Sequence, residues 1–274
     1  MATTTERLEL LHRAAPMRLT MMVAVVAAAV TRLPAQDYHF SKVLSAGATL
    51  EVSNINGKVD VTRASGQTAE VTVTKTVRRG DGTLVKAIMD DSRDGMRVCT
   101  IYLTRDPERR SCSGDNDNND RSNGRNRLDV DMRYTVRVPL NARLVVDAVN
   151  GSVTVSGAGT DSKIETVNGD IVFDGIGALS LETVNGKVDA TFARAAWEGT
   201  MRVSSVNGAI DLTFPASLSA EVRGETVNGG IDSGGFPITI EKGFGPKSFE
   251  GRIGSGGRRL ELETVNGGIS LHKQ

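Results

Sequence analysis

A chain of 274 residues with 33 basic and 33 acidic side chains has no net charge, so composition does not point to nucleic acid or an anionic membrane as partner. Only 4% of residues are aromatic and 30 are glycine, which suits a thin stacked core better than a wide globular one. Three histidines and two cysteines leave little material for a Ser-His-Asp constellation or a zinc cluster, and no HExxH, GxSxG or phosphate-cradling loop occurs.

The first 35 residues read as a leader rather than as part of a fold. Residues 19–30 are an apolar run preceded by Arg18 and followed by a small residue, Ala35, at an expected cut site. Twelve residues are too few for a membrane-spanning helix, which needs about twenty, so a secretory signal peptide is expected over 1–35. Glu6 and Glu9 sit badly in a basic n-region, which makes Met17 the expected start and 1–16 an over-extended one. Residues 36–274 then form a single exported domain, destined for the periplasm or the cell surface, with no transmembrane segment in the mature chain.

Beyond the leader, Leu50, Val52, Asn56-Gly57, Val59 and Val61 make a first strand pair around a corner, and 68–77 follow as a strand with Val71 and Val73 in phase. This resembles one isolated coil that caps or opens the array found downstream. Strands are also expected at 96–103 and 128–138, separated by a polar loop at 111–126. The run from Asp115 to Asp120 is reminiscent of a calcium loop but lacks the glycine and glutamate that geometry requires, so no metal site is expected. Cys99 and Cys112 are the disulfide candidate in an oxidising compartment, with two free thiols as the alternative; a bridge would contribute about 3 kcal/mol.

From residue 142 the chain becomes periodic. Asn150, Asn168, Asn185, Asn207, Asn228 and Asn266 each precede a glycine and follow Val, at intervals of 18, 17, 22, 21 and 38 residues. On both sides alternate positions are apolar, as in Leu179, Leu181, then Val188, Ala190. That period of two marks half-buried strands, and a recurrence near twenty residues marks a stacked array. The fold expected is all-β: a right-handed β-helix-like solenoid of Thr-Val-Asn-Gly units, with an antiparallel sandwich or propeller of hairpins as the alternative. Asn and Gly are expected at the corners for their tolerance of positive φ, and the stacked Asn side chains for a hydrogen-bonded ladder. Residues 251–257 stand where a corner is missing and are expected to be a degenerate coil, while Trp197 is expected to plug a solenoid edge.

Stacking would also align Asp147, Glu165, Glu182, Glu225 and Glu263, each three residues before its Asn, in a column broken by Ser204. Like charges directly opposed are destabilising, and Arg202, Arg223 and Arg259 are the expected neutralisers. Such a column is either a screened surface or an interaction stripe for cations or basic partners.

The opening Leu-Glu-Val-Ser-Asn-Ile-Asn-Gly-Lys-Val-Asp-Val from Leu50, the repeated Thr-Val-Asn-Gly corners and the closing Leu-Glu-Leu-Glu-Thr-Val-Asn-Gly-Gly-Ile-Ser-Leu resemble the bacterial DUF4097 family, whose members are labelled candidate adhesins. The resemblance runs from about Phe40 to Leu271 and implies a right-handed β-helix-like domain in an exported protein. It brings no established reaction, catalytic residue or cofactor. Three functions are therefore weighed: a non-enzymatic interaction module contacting an envelope protein or glycan, an envelope-stress sensing partner, and a polysaccharide-active enzyme. The last would draw on Asp147, Glu165 and Glu182 with Arg202.

Overall fold

Each described Asn-Gly corner joins two short strands, and the two go to different sheets. The computed structural model describes residues 36–92, 94–103, 108, 110–112, 128–159, 161–240 and 246–274. The expected leader at 1–35 and the Asp/Asn-rich run from Asp115 to Asp120 lie outside the described residues. The strands leading into corners are Thr49–Asn56, Arg143–Asn150, Ser162–Asn168, Ser180–Asn185, Thr200–Asn207, Ala220–Thr226 and Arg258–Thr264, and they belong to an 11-stranded sheet, here the leading sheet. The strands leaving them are Val59–Arg63, Val153–Ala158, Ile171–Gly175, Val188–Phe192, Ile210–Phe214, Ile231–Asp232 and Ile269–Lys273, and they belong to a 10-stranded trailing sheet. The chain is all-β among the described residues apart from a 3-10 turn at Gly82–Leu84, and no described helix is long and apolar enough to cross a membrane.

Neighbouring coils pair in parallel and in phase. Val146 lies beside Ile164, Ile164 beside Leu181 and Leu181 beside Val203 in the leading sheet; Val153, Ile171, Val188 and Ile210 follow one another in the trailing sheet. Because side chains alternate along a strand, every second residue of each sheet faces the other sheet, and these residues form one continuous buried core. Phe173, Phe192 and Phe214 stack along it, with the Phe192 and Phe214 centroids 4.9 Å apart. Trp197 packs at 6.5 and 6.1 Å from the last two rings and donates its indole N–H to the Arg259 carbonyl at 3.0 Å, closing one side of the stack as expected.

The coil order departs from the chain order. Arg258–Thr264 inserts between Thr200–Asn207 and Ala220–Thr226, pairing in parallel with both. Residues 251–257 are accordingly no degenerate coil. Lys247–Ile253 runs antiparallel to Ala220–Thr226 along its outer edge, and the turn after it uses Gly254, Gly256 and Gly257 at positive φ. The physical reason lies in what each coil can bury. Leu260, Leu262, Ile269 and Leu271 can face neighbours on both sides, whereas the coil at 220–232 offers Ala220, Val222 and Gly224 and only a two-residue trailing strand. Gly224 leaves room for the buried Phe249 ring, which comes within 2.3 Å of where a Cβ would stand.

At the opposite end Thr49–Asn56 and Val59–Arg63 stack directly on the coil of Asn150, so the first strand pair does open the array. The intervening residues extend both sheets. Asp129–Val138, Thr68–Arg79 and Gln36–Val43 continue the trailing sheet, the last two antiparallel to their neighbours, and Gly95–Tyr102 and Val85–Ser92 continue the leading one. Cys99 and Cys112 are joined in a disulfide with Cα atoms 5.8 Å apart, within a small separate cluster containing Ile101 and Leu103.

Candidate functional site

Stacking in phase turns each position of the Thr-Val-Asn-Gly unit into a column, and each column has its own chemistry. The asparagines form a ladder of one polarity. Asn150 donates its amide to the side-chain oxygen of Asn56, Asn168 to Asn150, Asn185 to Asn168, Asn207 to Asn185, Asn266 to Asn207 and Asn228 to Asn266, all at 2.8–2.9 Å. Asn56 ends the ladder by donating to the Tyr102 hydroxyl at 3.1 Å. Each amide within the ladder thus gives one N–H and one lone pair to it and keeps one of each for solvent or a partner, while Asn228, the outermost rung, gives the ladder only an N–H.

The Thr column points inward. Thr166, Thr183, Ser205, Thr264 and Thr226 donate their hydroxyls to the corner-glycine carbonyl of the adjoining coil, Gly151, Gly169, Gly186, Gly208 and Gly267 respectively, at 2.8–3.2 Å. Those carbonyls also define the glycine column. A Cβ on Gly151, Gly169, Gly186, Gly208, Gly229 or Gly267 would stand 1.8–2.2 Å from the neighbouring glycine oxygen. Of the corner glycines only Gly57 has positive φ. The corners therefore need glycine for close approach of one coil to the next, which corrects the expectation of positive φ.

Two residues before the first rung, Asn54 belongs to a buried polar group. Tyr134 and Thr100 share a hydrogen bond of 2.8 Å, Thr100 donates to Asn54, and the Asn54 amide donates to the carbonyls of Gly57 and Met132. Burial pushes the Tyr134 phenol far above its ordinary value, so it stays neutral.

The Val column faces outward. Val149, Val167, Val184, Val206 and Val227 are 36–40% exposed and make up most of the exposed large hydrophobic residues among the described residues, whereas the matching Ile55 of the first coil is 6% exposed. Val265, between Val206 and Val227 in the stack, is half-buried.

The carboxylates align as expected on the outer face of the leading sheet, in the order Asp147, Glu165, Glu182, Ser204, Glu263, Glu225. Burial, and then the charges of Glu165 and Glu51, raise Asp147 above the usual carboxylate value. The neutralisers differ from those expected. Lys163 binds Glu165 at 2.6 Å, a contact that raises the lysine's own pKa, and Ser180 donates to Glu182. Arg202 turns instead to Glu261, two residues before the column, at 3.0 Å. Arg223 and Arg259 have no carboxylate within ion-pair distance among the described residues. Lys163, Glu261, Glu51 and Arg97 are thus the charged residues on this face that the repeat pattern did not single out; Lys163 and Glu261 stand two residues before their acidic positions, while Glu51 and Arg97 pair with each other at 2.7 Å.

Over the strands Thr200–Asn207, Arg258–Thr264, Ala220–Thr226 and Lys247–Ile253 the outer face becomes a lattice of alternating charge. Arg202, Glu261, Arg223 and Glu250 lie side by side in register, and so do Arg259, Glu221 and Arg252. Two shallow grooves cross this lattice. One of about 480 Å³ runs between Arg202, Arg223, Glu182, Glu225 and Glu263, and the other, of about 510 Å³, between Glu221, Arg252 and Arg259. No set of three or more His, Cys, Asp or Glu is placed to hold a metal ion among the described residues.

No curated protein matches the sequence. Among solved structures, a candidate cell adhesion protein of Clostridium sporogenes is similar over 87% of this chain and 100% of its own, at 10% identity and a TM-score of 0.49. A candidate adhesin of Bacteroides fragilis is similar over 86% of this chain and 97% of its own, at 11% identity and a TM-score of 0.37. A candidate lipid binding protein of Parabacteroides distasonis is similar over 87% of this chain and 96% of its own, at 8% identity and a TM-score of 0.26. The family profile matches residues 32–272, a span that holds all seven rungs of the asparagine ladder, and by that match the chain belongs to the Toastrack DUF4097 family.

Proposed function

We propose that the protein is an exported, non-enzymatic interaction module of the cell envelope or cell surface, adhesin-like, that contacts an envelope protein or glycan along the outer face of its leading sheet. The observation that carries this is the alternating lattice around Arg202, Glu261, Arg223 and Glu250, with Arg223 in no ion pair among the described residues and lining a groove of about 480 Å³. A flat, rigid array of fixed charges selects a partner by electrostatic complementarity. The Cys99–Cys112 disulfide supports an oxidising compartment, and with it export of the chain behind its expected leader. The coil is taken as right-handed, since parallel strands joined by a crossover take that hand in about 98% of cases.

The test is capture from an envelope extract on the immobilised chain, compared with Arg202→Glu and Arg223→Glu, alongside a panel of polysaccharides assayed for product release. The proposal expects saturable, salt-sensitive capture that both variants lose. Product release from a polysaccharide that Glu182→Gln abolishes would overturn it in favour of an enzyme.

A further inference from the structure

The valines that close each corner present an oddity. Solvent-facing positions on both sheets are otherwise occupied mainly by Thr, Ser, Asp, Glu, Lys and Arg, yet one column keeps Val at Val149, Val167, Val184, Val206, Val265 and Val227. At about 4.8 Å per coil these six make an apolar strip about 24 Å long, bordered by the Asn ladder. We infer that this Val-Asn edge is a self-association surface, on which two copies of the chain lie antiparallel, edge to edge.

Three observations select a second copy. First, two such edges share one repeat distance, so contacts made at one rung recur at every other without accumulating mismatch; dry side-chain interdigitation beside amide ladders is how stacked strands pair. Second, the residue after each corner glycine changes size along the column. It is Ser152, Asp170 and Lys187 in the first half and Ala209, Gly268 and Gly230 in the second. Antiparallel pairing about the midpoint, between Val184 and Val206, sets each larger residue opposite a small one: Ser152 on Gly230, Asp170 on Gly268, Lys187 on Ala209. A two-fold contact requires this self-complementarity. Third, the charges there are already engaged within their own copy. Asp170 accepts from the Lys187 backbone at 2.8 Å, and the Lys187 ammonium holds Asp189 and Asp211 at 3.0 and 2.8 Å.

The strip is narrower than the surface a permanent dimer buries, so the contact is weak and gains from many copies held on one surface. The same arrangement brings the acidic columns of the two copies onto one side, Asp147 towards Glu225 and Glu165 towards Glu263. Their repulsion is relieved as salt shortens the screening length, so association strengthens with ionic strength. This goes beyond the proposed function and does not rest on it, since envelope capture can fail while self-association holds.

Sedimentation velocity of the full chain, from micromolar to millimolar concentration, tests the inference. A concentration-dependent dimer is expected that tightens with salt and weakens at least tenfold in Val184→Glu and Val206→Glu. It should be unaffected by Val172→Glu, which alters an exposed valine on the trailing sheet. Mixing separate Val184→Cys and Val206→Cys chains under mild oxidation should give a disulfide-linked dimer, and Val172→Cys chains should give none. A monomer at every concentration would overturn the inference, as would a dimer that Val172→Glu dissolves and the two other glutamate variants do not.

Discussion

Asn266 donates its amide to Asn207, 59 residues earlier in the chain, at 2.8 Å, and Asn228 lies one rung further out, donating to Asn266 at 2.9 Å. The ladder thus runs 56, 150, 168, 185, 207, 266, 228, and its spatial order, not its chain order, decides which substitutions disturb one neighbour and which disturb two.

Replacing an inner rung should cost more than replacing the last. Asn185→Ala removes a bond to Asn168 and one from Asn207, while Asn228→Ala removes only the bond to Asn266. With a net value of about 0.5–1.5 kcal/mol per hydrogen bond, and these exposed, the inner change should cost about 1–2 kcal/mol and the outer about half that. Urea denaturation midpoints of the two variants measure the difference.

The glycine column gives a sharper contrast. Gly186→Ala and Gly208→Ala place a Cβ 2.0 and 1.8 Å from a backbone oxygen that cannot move without shifting a whole coil, and each should cost about 2–4 kcal/mol. Gly230→Ala meets nothing within 4 Å and is expected within about 0.5 kcal/mol of the parent. Thermal unfolding of the three variants checks this. Equal losses would mean that conformational freedom, rather than close approach, is what the corners require.

Much of this was legible in the chain itself. The alternation around each Asn-Gly, as in Leu179, Leu181, Val188 and Ala190, fixes which side chains face inward, and the shared phase of the corners fixes which ones align. The order of the last two coils was not legible, because the alternation assigns each coil's inward face without saying which coil stands further out. The poorer burial of Ala220, Val222 and Gly224 leaves that coil outside, where Lys247–Ile253 pairs antiparallel with it, a pairing that strand patterning alone does not assign. Glycine's role was hidden for another reason: positive φ and close approach select the same residue, and only the stacked carbonyl tells them apart. Arg202 has Glu182 diagonally ahead and Glu261 directly beside it once Arg258–Thr264 is inserted, so its partner followed from the order as well.

The acidic column carries a pH signature. Asp147 is raised above 3.8 by burial first and by Glu165 and Glu51 next, so the folded chain holds this proton at pH values where the unfolded chain has released it. The stability from that proton is fully present below the unfolded pKa and is lost as pH rises through the folded one. Asp147→Asn removes the acid-range slope and should leave the protein more stable than the parent at neutral pH. Denaturation curves collected from pH 3.8 upwards measure both effects.

Trp197 closes the side of the stack over Phe192 and Phe214, and its loss leaves a cavity that the stacked rings cannot fill. Trp197→Ala should cost about 3–5 kcal/mol and Trp197→Phe less, since the latter gives up the bond to the Arg259 carbonyl but keeps most of the packing. Chemical denaturation of the two variants separates packing from hydrogen bonding.

The stacking order is tested most directly by cysteine pairs in the exposed Val column. Adjacent coils place equivalent Cα atoms about 4.8 Å apart, within disulfide range, and second neighbours at about twice that, outside it. Val206→Cys combined with Val265→Cys should form an intramolecular disulfide under mild oxidation, identified by peptide mapping, and Val206→Cys combined with Val227→Cys should not. The reverse outcome, a bridge from 206 to 227 and none from 206 to 265, would contradict the order of coils on which the account is built.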